Sequence, residues 1–448
     1  MPSTPCTQQA PQAVSLFEAF RFWLKLGLIS FGGPAGQISI MYDELVVRRR
    51  WLSERRFLHA LNYCMMLPGP EAQQLATYIG WLMHRTWGGV IAGLLFILPS
   101  LFILILLSWL YIAFGDLPLV AGVFYGVKPA VTAIVIQATY RIGSRSLTNP
   151  ALWLIAGAAF LAIFALNLAF PLIVLAAAVT GYFAGRYWPH WFSTPHSESK
   201  TPRTGFSALI DDQTPTPAHA RFRMTKLIKL VLMGAVLWLL PMALLISAFG
   251  WDGTLTQMAW FFTKAALLTF GGAYAVLPYV YQGAIAEYGW LTSAQMIDGL
   301  ALGETTPGPL IMVVAFVGFI GAYVQHVFGA EQLFLAGAVA AILVSWFTFL
   351  PSFLFILAGG PLVESTHNQL QFTAPLTAIT AAVVGVILNL ALFFAYHVFW
   401  PQGLNATFDW PSAVLAAAAV VALLRYKRGV IEVIILSACC GLLVHLFF

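Results

Sequence analysis

The chain has 448 residues, of which 60% are hydrophobic and 9% are charged, and its mean hydropathy is +0.84. Soluble domains carry about 25% charged residues, so this composition excludes an ordinary soluble enzyme or binding module and indicates a helical protein with several membrane spans. The net charge of +5 is then a signal of membrane topology rather than of nucleic-acid binding.

A polar tail at residues 1–16 opens the sequence and lacks the basic segment of a secretory signal peptide. The four cysteines form no C-x-x-C motif and no cysteine–histidine spacing typical of a metal site. The sequence contains no phosphate-binding loop, zinc-protease motif or nucleophile elbow. It therefore predicts no metal, no cofactor and no enzymatic activity.

Two hydrophobic stretches, each broken in the middle, follow the tail. Residues 17–41 are broken by Gly-Gly-Pro at 32–34, and residues 57–84 are broken by Pro-Gly-Pro at 68–70. Proline removes a backbone hydrogen-bond donor and glycine loosens a helix, so the chain should be non-helical at both breaks. Non-helical backbone at membrane depth is tolerated where it is buried in protein or lines a cavity.

Four further apolar segments complete this half of the sequence, at about 87–114, 119–141, 150–166 and 169–187. Residues 190–226 are rich in Pro, Ser, Thr and charge, which is typical of a flexible soluble linker. One extra apolar segment follows at 227–249.

The second half repeats the first. Residues 261–309 match residues 22–70 at a constant offset of 239 positions, so that Phe-Gly-Gly, Trp-Leu and Pro-Gly-Pro recur in register. The broken stretches are now 259–281 and 294–324, and apolar segments follow at about 333–358, 373–398, 411–424 and 430–448. The predicted organisation is a polar tail at 1–16, a membrane repeat at 17–189, a cytoplasmic linker at 190–226, a connecting transmembrane helix and loop at 227–258, and a second membrane repeat at 259–448.

Loop charges predict that the two repeats are inverted. Five arginines lie within 48–56, whereas 282–296 has no Lys or Arg; conversely, residues 425–428 carry three cations and 164–168 none. By the positive-inside rule, equivalent loops then lie on opposite sides of the membrane. The simplest solution is that 227–249 crosses and that the broken stretches are re-entrant hairpins, although crossing broken stretches stay an alternative.

The predicted fold is therefore an all-α polytopic membrane protein with two inverted-topology repeats. Each repeat has glycine- and proline-broken, re-entrant helices plus about four transmembrane helices. The tips of the hairpins should meet near the midplane, where duplicated transporters with interrupted helices place their substrate site.

The candidate substrate site consists of these breaks and the few charges near them. Lys25 and Lys264 share one repeat position, six residues before Phe-Gly-Gly, and a lysine in hydrocarbon is a functional candidate; the alternative is a lysine that snorkels to the headgroups. The breaks would leave free N–H groups at helix starts, which suits an anion, unless the glycines only allow close helix packing. The predicted substrate-binding residues are Lys25, Gly32, Gly33, Pro68, Gly69, Pro70, Lys264, Gly271, Gly272, Pro307, Gly308, Pro309 and Lys128.

Glu71 and Glu304 are the candidates for proton coupling because they lie beside the Pro-Gly-Pro breaks. Glu71 is preferred since it directly follows its break, although a carboxylate at a helix start also suits the helix dipole. Lys128 is either a site residue or an interfacial anchor. His59 aligns with Asp298, and both are expected at loop edges rather than in a proton relay.

The motifs around the four breaks resemble those of the chromate ion transporter family: LGLISFGGPAGQI, MMLPGPEAQQLATYIGW, LLTFGGAYAVLP and LGETTPGPLIMVVAFVGF. The chain is similar to the long form of that family, in which two homologous halves are fused. The resemblance covers everything outside the N-terminal tail and the linker. It implies chromate export driven by the proton-motive force, chromate resistance, and a bacterial-type cytoplasmic (inner) membrane.

A tetrahedral dianion suits a site made of helix N-termini and lysines, but physical reasoning does not separate chromate from sulfate. The expected partners are this oxyanion and the lipid bilayer, without nucleic acid. Three alternatives stay open at this point: a transporter of sulfate or another oxyanion, an uncoupled anion channel, and a membrane scaffold or sensor that uses the linker. The sequence also leaves open whether the protein forms a homodimer.

Overall fold

The computed structural model describes residues 14–31, 33–115, 117–187, 208–211, 214, 217, 219–365, 373–405 and 407–447. Within them the chain forms sixteen α-helices, and the only β-contact is one isolated bridge. The helices are α1 Leu16–Ile29, α2 Gly33–Tyr42, α3 Glu54–Met66, α4 Glu71–Phe114, α5 Pro118–Ser146, α6 Pro150–Phe164, α7 Phe170–Tyr187, α8 Met224–Phe249, α9 Thr254–Leu268, α10 Ala273–Tyr281, α11 Ser293–Thr305, α12 Val313–Val324, α13 Leu333–Ser365, α14 Thr373–Phe399, α15 Trp410–Leu424 and α16 Val430–Phe447.

Six of these helices, α4, α5, α7, α8, α13 and α14, are long and apolar enough to cross a membrane. The chain is therefore an all-α, multi-pass membrane protein, which confirms the class predicted from its composition. The helices α6 and α15 have 15 residues each and so span only about 22 Å at 1.5 Å per residue. That is less than the ~30 Å of a hydrocarbon core, so these two helices are shorter than a full span.

Helix α4 is two helices joined by a sharp reversal. His84 and Arg85 have non-helical dihedral angles, with φ of 59° at Arg85. A Cβ added to Gly93 would overlap the Thr77 hydroxyl, although the two residues are sixteen positions apart, a span of about 24 Å in a straight helix. Residues 71–83, the short arm of α4, therefore fold back antiparallel onto residues 86–114, the long arm.

The broken stretches form hairpins whose ends lie at the same level. In the first copy, the Arg49 guanidinium lies 4.9 Å from the centre of the Phe22 ring and 3.6 Å from the Glu18 carboxylate, so the chain has returned to where α1 began. In the second copy, the Phe261 and Trp290 rings lie 5.5 Å apart. A chain that returns to its starting level is compatible with the predicted re-entrant hairpins, which stay a prediction because they concern placement in a membrane.

The duplication extends to the details of the backbone. Both copies contain a short π-helical turn at the same aligned place, Asp43–Arg48 and Gln282–Glu287. Positive φ values also recur at the aligned positions Arg50 and Gly289, with φ of 55° and 61°. Since left-handed backbone is costly for residues other than glycine, its recurrence shows that the two copies share one chain path.

Equivalent helices of the two copies run antiparallel against each other. On the long arm of α4, Gly93 packs against Phe353 of α13, whereas Trp109 lies 6.0 Å from Phe334. Residue numbers thus rise along one helix and fall along the other. This arrangement supports the inverted-repeat topology, which stays a prediction because it concerns orientation across a membrane.

Reciprocal hydrogen bonds join the Pro-Gly-Pro tips to the opposite copy. The Gly69 N–H donates to the Thr269 carbonyl at 2.7 Å, and the Gly308 N–H donates to the Ser30 carbonyl at 2.8 Å. The two donors, Gly69 and Gly308, lie 239 residues apart in the sequence, and so do the two acceptors, Ser30 and Thr269. The four breaks therefore meet at the centre of the molecule, where the two copies exchange equivalent contacts.

Only glycine fits the two tips. Gly69 and Gly308 have φ of 129° and 103°, a region that other residues rarely adopt. A Cβ at Gly308 would lie 2.8 Å from the Ser100 Cβ, and one at Gly69 would overlap the Ser352 hydroxyl. The tips thus approach the long helices of the opposite copy more closely than a side chain would allow.

The part of the linker that the structure describes is packed against the first copy. Ile210 forms the isolated parallel bridge with Leu52. Arg56 donates to a Glu364 carboxylate oxygen at 2.6 Å and to the Asp211 carbonyl at 3.3 Å. Buried apolar side chains such as Ile210 explain why this part of the linker, predicted to be flexible throughout, is docked.

Candidate functional site

A cavity of about 650 Å³ runs from the level of Tyr42 and Phe57 to the breaks at the centre of the molecule. Gly33 of the first copy and Gly271 and Gly272 of the second line its inner end. The volume is many times the ~30 Å³ that one water molecule takes in the liquid. The space therefore admits a small oxyanion together with part of its hydration shell.

One face of α5 supplies the cationic wall of the cavity. Gln137, Arg141 and Arg145 all line the cavity, and their four-residue spacing places them on the same side of a helix. Both arginines are solvent-exposed, and neither forms an ion pair with a residue that the structure describes. The two guanidinium groups make this wall attractive to an anion, and the charge of Arg141 also acts on Glu304, which lines the same cavity.

These arginines were not among the predicted site residues. The predicted segment at 119–141 ends at Arg141 and leaves Arg145 beyond it, whereas α5 continues to Ser146. The i, i+4, i+8 spacing that begins at Gln137 was the available signal. It identifies a polar helix face, but it does not show that this face borders a cavity.

The two predicted proton-coupling carboxylates line the same cavity. Glu71 begins α4, and its Oε1 lies 4.0 Å from where a Cβ of Gly272 would be. Glu304 is buried and accepts a hydrogen bond from the Tyr274 hydroxyl. The structure thus brings together one carboxyl group from each copy, as their positions beside the breaks suggested.

Two helices start at the cavity. The helices α2 and α10 begin at Gly33 and Ala273, both of which line it, and Gly33 and Gly272 have φ of 70° and 94°. The first N–H groups of a helix lack intrahelical partners, and the helix dipole favours an anion there. Gly32 lies outside the described residues. The glycine breaks therefore border the site, and their role as substrate ligands stays a prediction.

The Pro-Gly-Pro tips lie beside the cavity rather than in its wall. None of Pro68, Gly69, Pro70, Pro307, Gly308 and Pro309 lines it. Instead, the tips form the reciprocal hydrogen bonds between the two copies. Around them, the hydroxyl groups of Ser30, Ser100 and Ser352 are buried and have no hydrogen-bond partner among the described residues. Direct substrate binding by the tips stays a prediction.

Neither predicted lysine of the repeat lines the cavity. Lys25 is exposed on α1, and the Lys264 ammonium lies 5.8 Å from the centre of the Trp260 ring on α9. An exposed lysine on an apolar helix suits the snorkelling alternative. Their role as anion ligands stays a prediction that has no contact to support it.

Lys128 belongs to a separate cluster around the buried Asp298. Its ammonium lies 3.5 Å from Asp298 Oδ2, which also accepts a hydrogen bond from the Tyr111 hydroxyl at 2.9 Å. Asp298 lies within α11 and is 3% exposed, so its expected place at a loop edge was wrong. A charge can be buried there because a lysine 170 positions away in the sequence compensates it. His59 likewise lies within a helix, α3.

Comparison with known proteins decides the family. The family model described as "Chromate transporter" matches residues 17–182 and 256–442. The chain belongs to the chromate transporter family. The model matches twice, once in each copy, which confirms the predicted fused long form. Because this is a family of transport proteins, the protein is a transporter and not an enzyme.

Three relatives illustrate the match. The chromate transport protein of Cupriavidus metallidurans is 28% identical, with 92% of this chain and 89% of the relative covered. That of Pseudomonas aeruginosa is 32% identical, covering 85% and 81%. An uncharacterized transporter of Bacillus subtilis is 30% identical and covers 29% of this chain but 73% of its own length, as one half of a duplicated protein would. No solved structure matches the chain.

Proposed function

We propose that the protein is a secondary transporter that exports a tetrahedral oxyanion from the cytoplasm across the cytoplasmic membrane. The proposed substrate is chromate, and sulfate is the alternative. The observation that carries the proposal is the cavity in which Arg141 and Arg145 lead to paired helix starts and to Glu71 and Glu304. Relatives described as chromate transport proteins favour chromate as the substrate.

The cavity supports a binding mechanism for a dianion. The guanidinium groups of α5 attract the anion from solution. Deeper in the cavity, the free N–H groups and dipoles of α2 and α10 take over part of its hydration. A site formed at the meeting point of interrupted helices from two repeats is the arrangement in which one repeat can rock against the other and change access.

The cavity opens at the same end as the arginine-rich loop at 48–56. If that end faces the cytoplasm, as the positive-inside rule predicts, the conformation is inward-facing and accepts substrate from the cytoplasm. The second-copy counterparts of cavity-lining residues, such as Leu277, Met296 and Leu300, are buried, which supports a pathway that is closed on the opposite side. These two features together support export by alternating access.

Charge arithmetic connects transport to the proton-motive force. Repulsion between a dianion and an ionised Glu71 makes proton uptake accompany anion binding. A dianion that leaves with one proton carries a net charge of −1, and an interior-negative potential drives this charge outward by about 2.3 kcal/mol per 100 mV. The pH component of the proton-motive force opposes the same step, since the proton leaves with the anion. We therefore expect the membrane potential to be the driving component.

Replacing Glu71 by glutamine tests this coupling. Chromate flux is measured in proteoliposomes under an imposed membrane potential and, separately, under an imposed pH gradient. The protein without substitutions should respond to both, whereas Glu71→Gln should keep its anion flux and lose the response to pH. Glu18→Gln, which removes an exposed carboxylate outside the cavity, is the matched control and should respond like the unmodified protein.

The outcomes separate the alternatives. An unchanged pH response in Glu71→Gln would indicate that another group carries the proton. Glu304→Gln would then be the next variant to measure. Flux that follows the potential but ignores pH in the unmodified protein would indicate an uncoupled anion channel. Sulfate that competes with chromate at equal concentration would indicate a general oxyanion transporter. Chromate flux that is absent from the unmodified protein would overturn the proposal.

A further inference from the structure

A second cavity, of about 420 Å³, lies between the end of the linker, the start of α8 and the end of α13. It is separate from the substrate cavity and shares no lining residue with it. Five cationic side chains line it: Arg85, Arg221, Arg223, Lys226 and Lys229. The described residues that line it include no Asp or Glu.

These cations are not held by acidic neighbours. Among the described residues, none of the five takes part in an ion pair. Lys226 donates a hydrogen bond to the His219 carbonyl, at 3.5 Å. Partial burial, together with the positive charges of Arg85 and Lys226, lowers the pKa of His219. Concentrating uncompensated positive charge in this way is unfavourable unless an anion binds.

The backbone brings the cations together from two distant parts of the sequence. Arg85 sits at the reversal of α4 with φ of 59°, and the linker is fixed nearby by a hydrogen bond between His219 Nε2 and the Trp81 carbonyl, at 3.0 Å. Arg223 precedes α8, and Lys229 lies in its second turn. The pocket is therefore built by the docked linker and is not a run of charge along one helix.

The inner wall of the pocket is apolar and continues onto a lipid-facing helix. Leu227, Leu230 and Leu357 line the pocket beneath the cations. Helix α8 is a candidate membrane span, and only 11% of its most hydrophobic 18 residues are buried in the protein. Val231 and Leu232 are exposed just beyond the pocket. A cationic pocket that opens onto an exposed apolar helix matches a phosphate group with attached acyl chains.

We propose that this pocket binds the phosphate headgroup of an anionic phospholipid, with the acyl chains lying along α8. Basic pockets between transmembrane helices at the cytoplasmic surface recognise such headgroups. Free phosphate shares the headgroup chemistry, but it would leave the apolar continuation of the pocket unused. The lipid would also attach α8, which has no equivalent in the first copy, to the α13 of the second.

The test uses the full-length protein purified in neutral detergent, with bound lipid counted by native mass spectrometry. Phosphatidylglycerol and phosphatidylcholine, of matched acyl chains, are the probes. The unmodified protein should retain phosphatidylglycerol at least about tenfold better. The variant Arg221→Gln, Arg223→Gln, Lys229→Gln should reduce this preference at least about fivefold, because each cation near the surface contributes to attraction of an anionic lipid.

The matched control removes three cations from another surface. The variant Arg425→Gln, Lys427→Gln, Arg428→Gln has the same change in charge on the end predicted to be cytoplasmic, away from the pocket, and should keep the preference within about twofold. Arg221→Lys with Arg223→Lys should also keep it, since lysine still provides a point charge for phosphate; this second variant shows that loss of binding reflects charge and not misfolding.

Three results would overturn the proposal. The first is a glutamine variant that retains phosphatidylglycerol as the unmodified protein does. The second is an equal loss of preference in the control variant, which would indicate a general effect of net charge. The third is displacement of the lipid by inorganic phosphate at equal concentration, which would indicate a site for a free anion.

Discussion

The two copies share a chain path and differ in what their equivalent surfaces present. In the first copy, Glu71 and Arg141 line an open cavity. Their counterparts in the second copy, with Pro129 aligned on Pro375, are Leu310 and Ile387, which are 3% and 0% exposed. At these two positions the first copy contributes charge beside the cavity, whereas the second copy contributes apolar packing.

This difference shows that the duplication provides the frame of the site and not two equal sites. The glycine breaks, the tips and the antiparallel long helices need both copies, because each tip is hydrogen-bonded to the other copy. The guanidinium groups of the cavity wall, by contrast, come from the first copy only, whereas each copy provides one carboxyl group. A transporter needs one substrate site with changing access rather than two sites, and an asymmetric lining is compatible with that requirement.

Removing the cationic wall should have the largest effect on transport. Arg141→Gln should weaken chromate binding about 10- to 100-fold, because hydrogen bonds to charged groups contribute roughly 1.5–3 kcal/mol and no equivalent cation exists in the second copy. Initial uptake at a range of chromate concentrations measures the change. Arg425→Gln, which removes an exposed arginine outside the cavity, should stay near the unmodified rate; equal losses in both variants would contradict a specific role for α5.

Straining one glycine break should have an intermediate effect. Gly272→Val places a β-branched residue at φ of 94°, which costs roughly 1–3 kcal/mol and shifts the start of α10 at the cavity, so transport should fall several-fold while the protein still folds. Gly403→Val is the matched control, since Gly403 has φ of 91° with no atom near its missing Cβ. We expect the two variants to have similar thermal stabilities, and we expect the chromate flux to be lower in Gly272→Val than in Gly403→Val. Equal chromate fluxes in the two variants would show that the glycine break at Gly272 does not affect the substrate path.

The lysines of the repeat should have the smallest effect. Lys25→Gln and Lys264→Gln together should change chromate flux less than about threefold, because neither side chain lines the cavity and removing a charge lowers the cost of membrane insertion. Flux and membrane abundance are measured side by side with Arg141→Gln. A loss of chromate flux as large as that of Arg141→Gln would indicate that both lysines take part in the substrate site. The two copies would then contribute equivalent charges to it.

Prediction from sequence was accurate where a local pattern fixes the structure. Helix α1 ends at Ile29 and α2 starts at Gly33, so the first break lies slightly before the predicted 32–34, and the second lies at 68–70 as predicted. Both breaks follow from what glycine and proline do to a helix, and the recurrence of their motifs at a constant offset exposes the duplication. The predicted apolar segment at 87–114 corresponds to the observed long arm of α4, at 86–114. Such features depend on neighbouring residues and on hydrophobicity alone.

Prediction was less accurate where residues distant in sequence meet. The recurrence of Lys25 and Lys264 suggested a site, yet a repeated position does not reveal whether a side chain points towards lipid or towards a cavity. Asp298 was placed at a loop edge because its partner, Lys128, is far away in the chain. The predicted segment ends at Arg141 and leaves out Arg145 because hydrophobicity falls at that point, although α5 continues to Ser146.

The sequence by itself determined the class of the protein, its duplication, the positions of its breaks and its family, since composition, periodicity and motif spacing are properties of the chain. Only the tertiary structure decided which charges share a cavity. The fold-back at Arg85, the exchange of tip contacts between copies and the docking of the linker each bring together residues far apart in the chain. Pairing of that kind depends on how helices pack in three dimensions, and no local pattern records it.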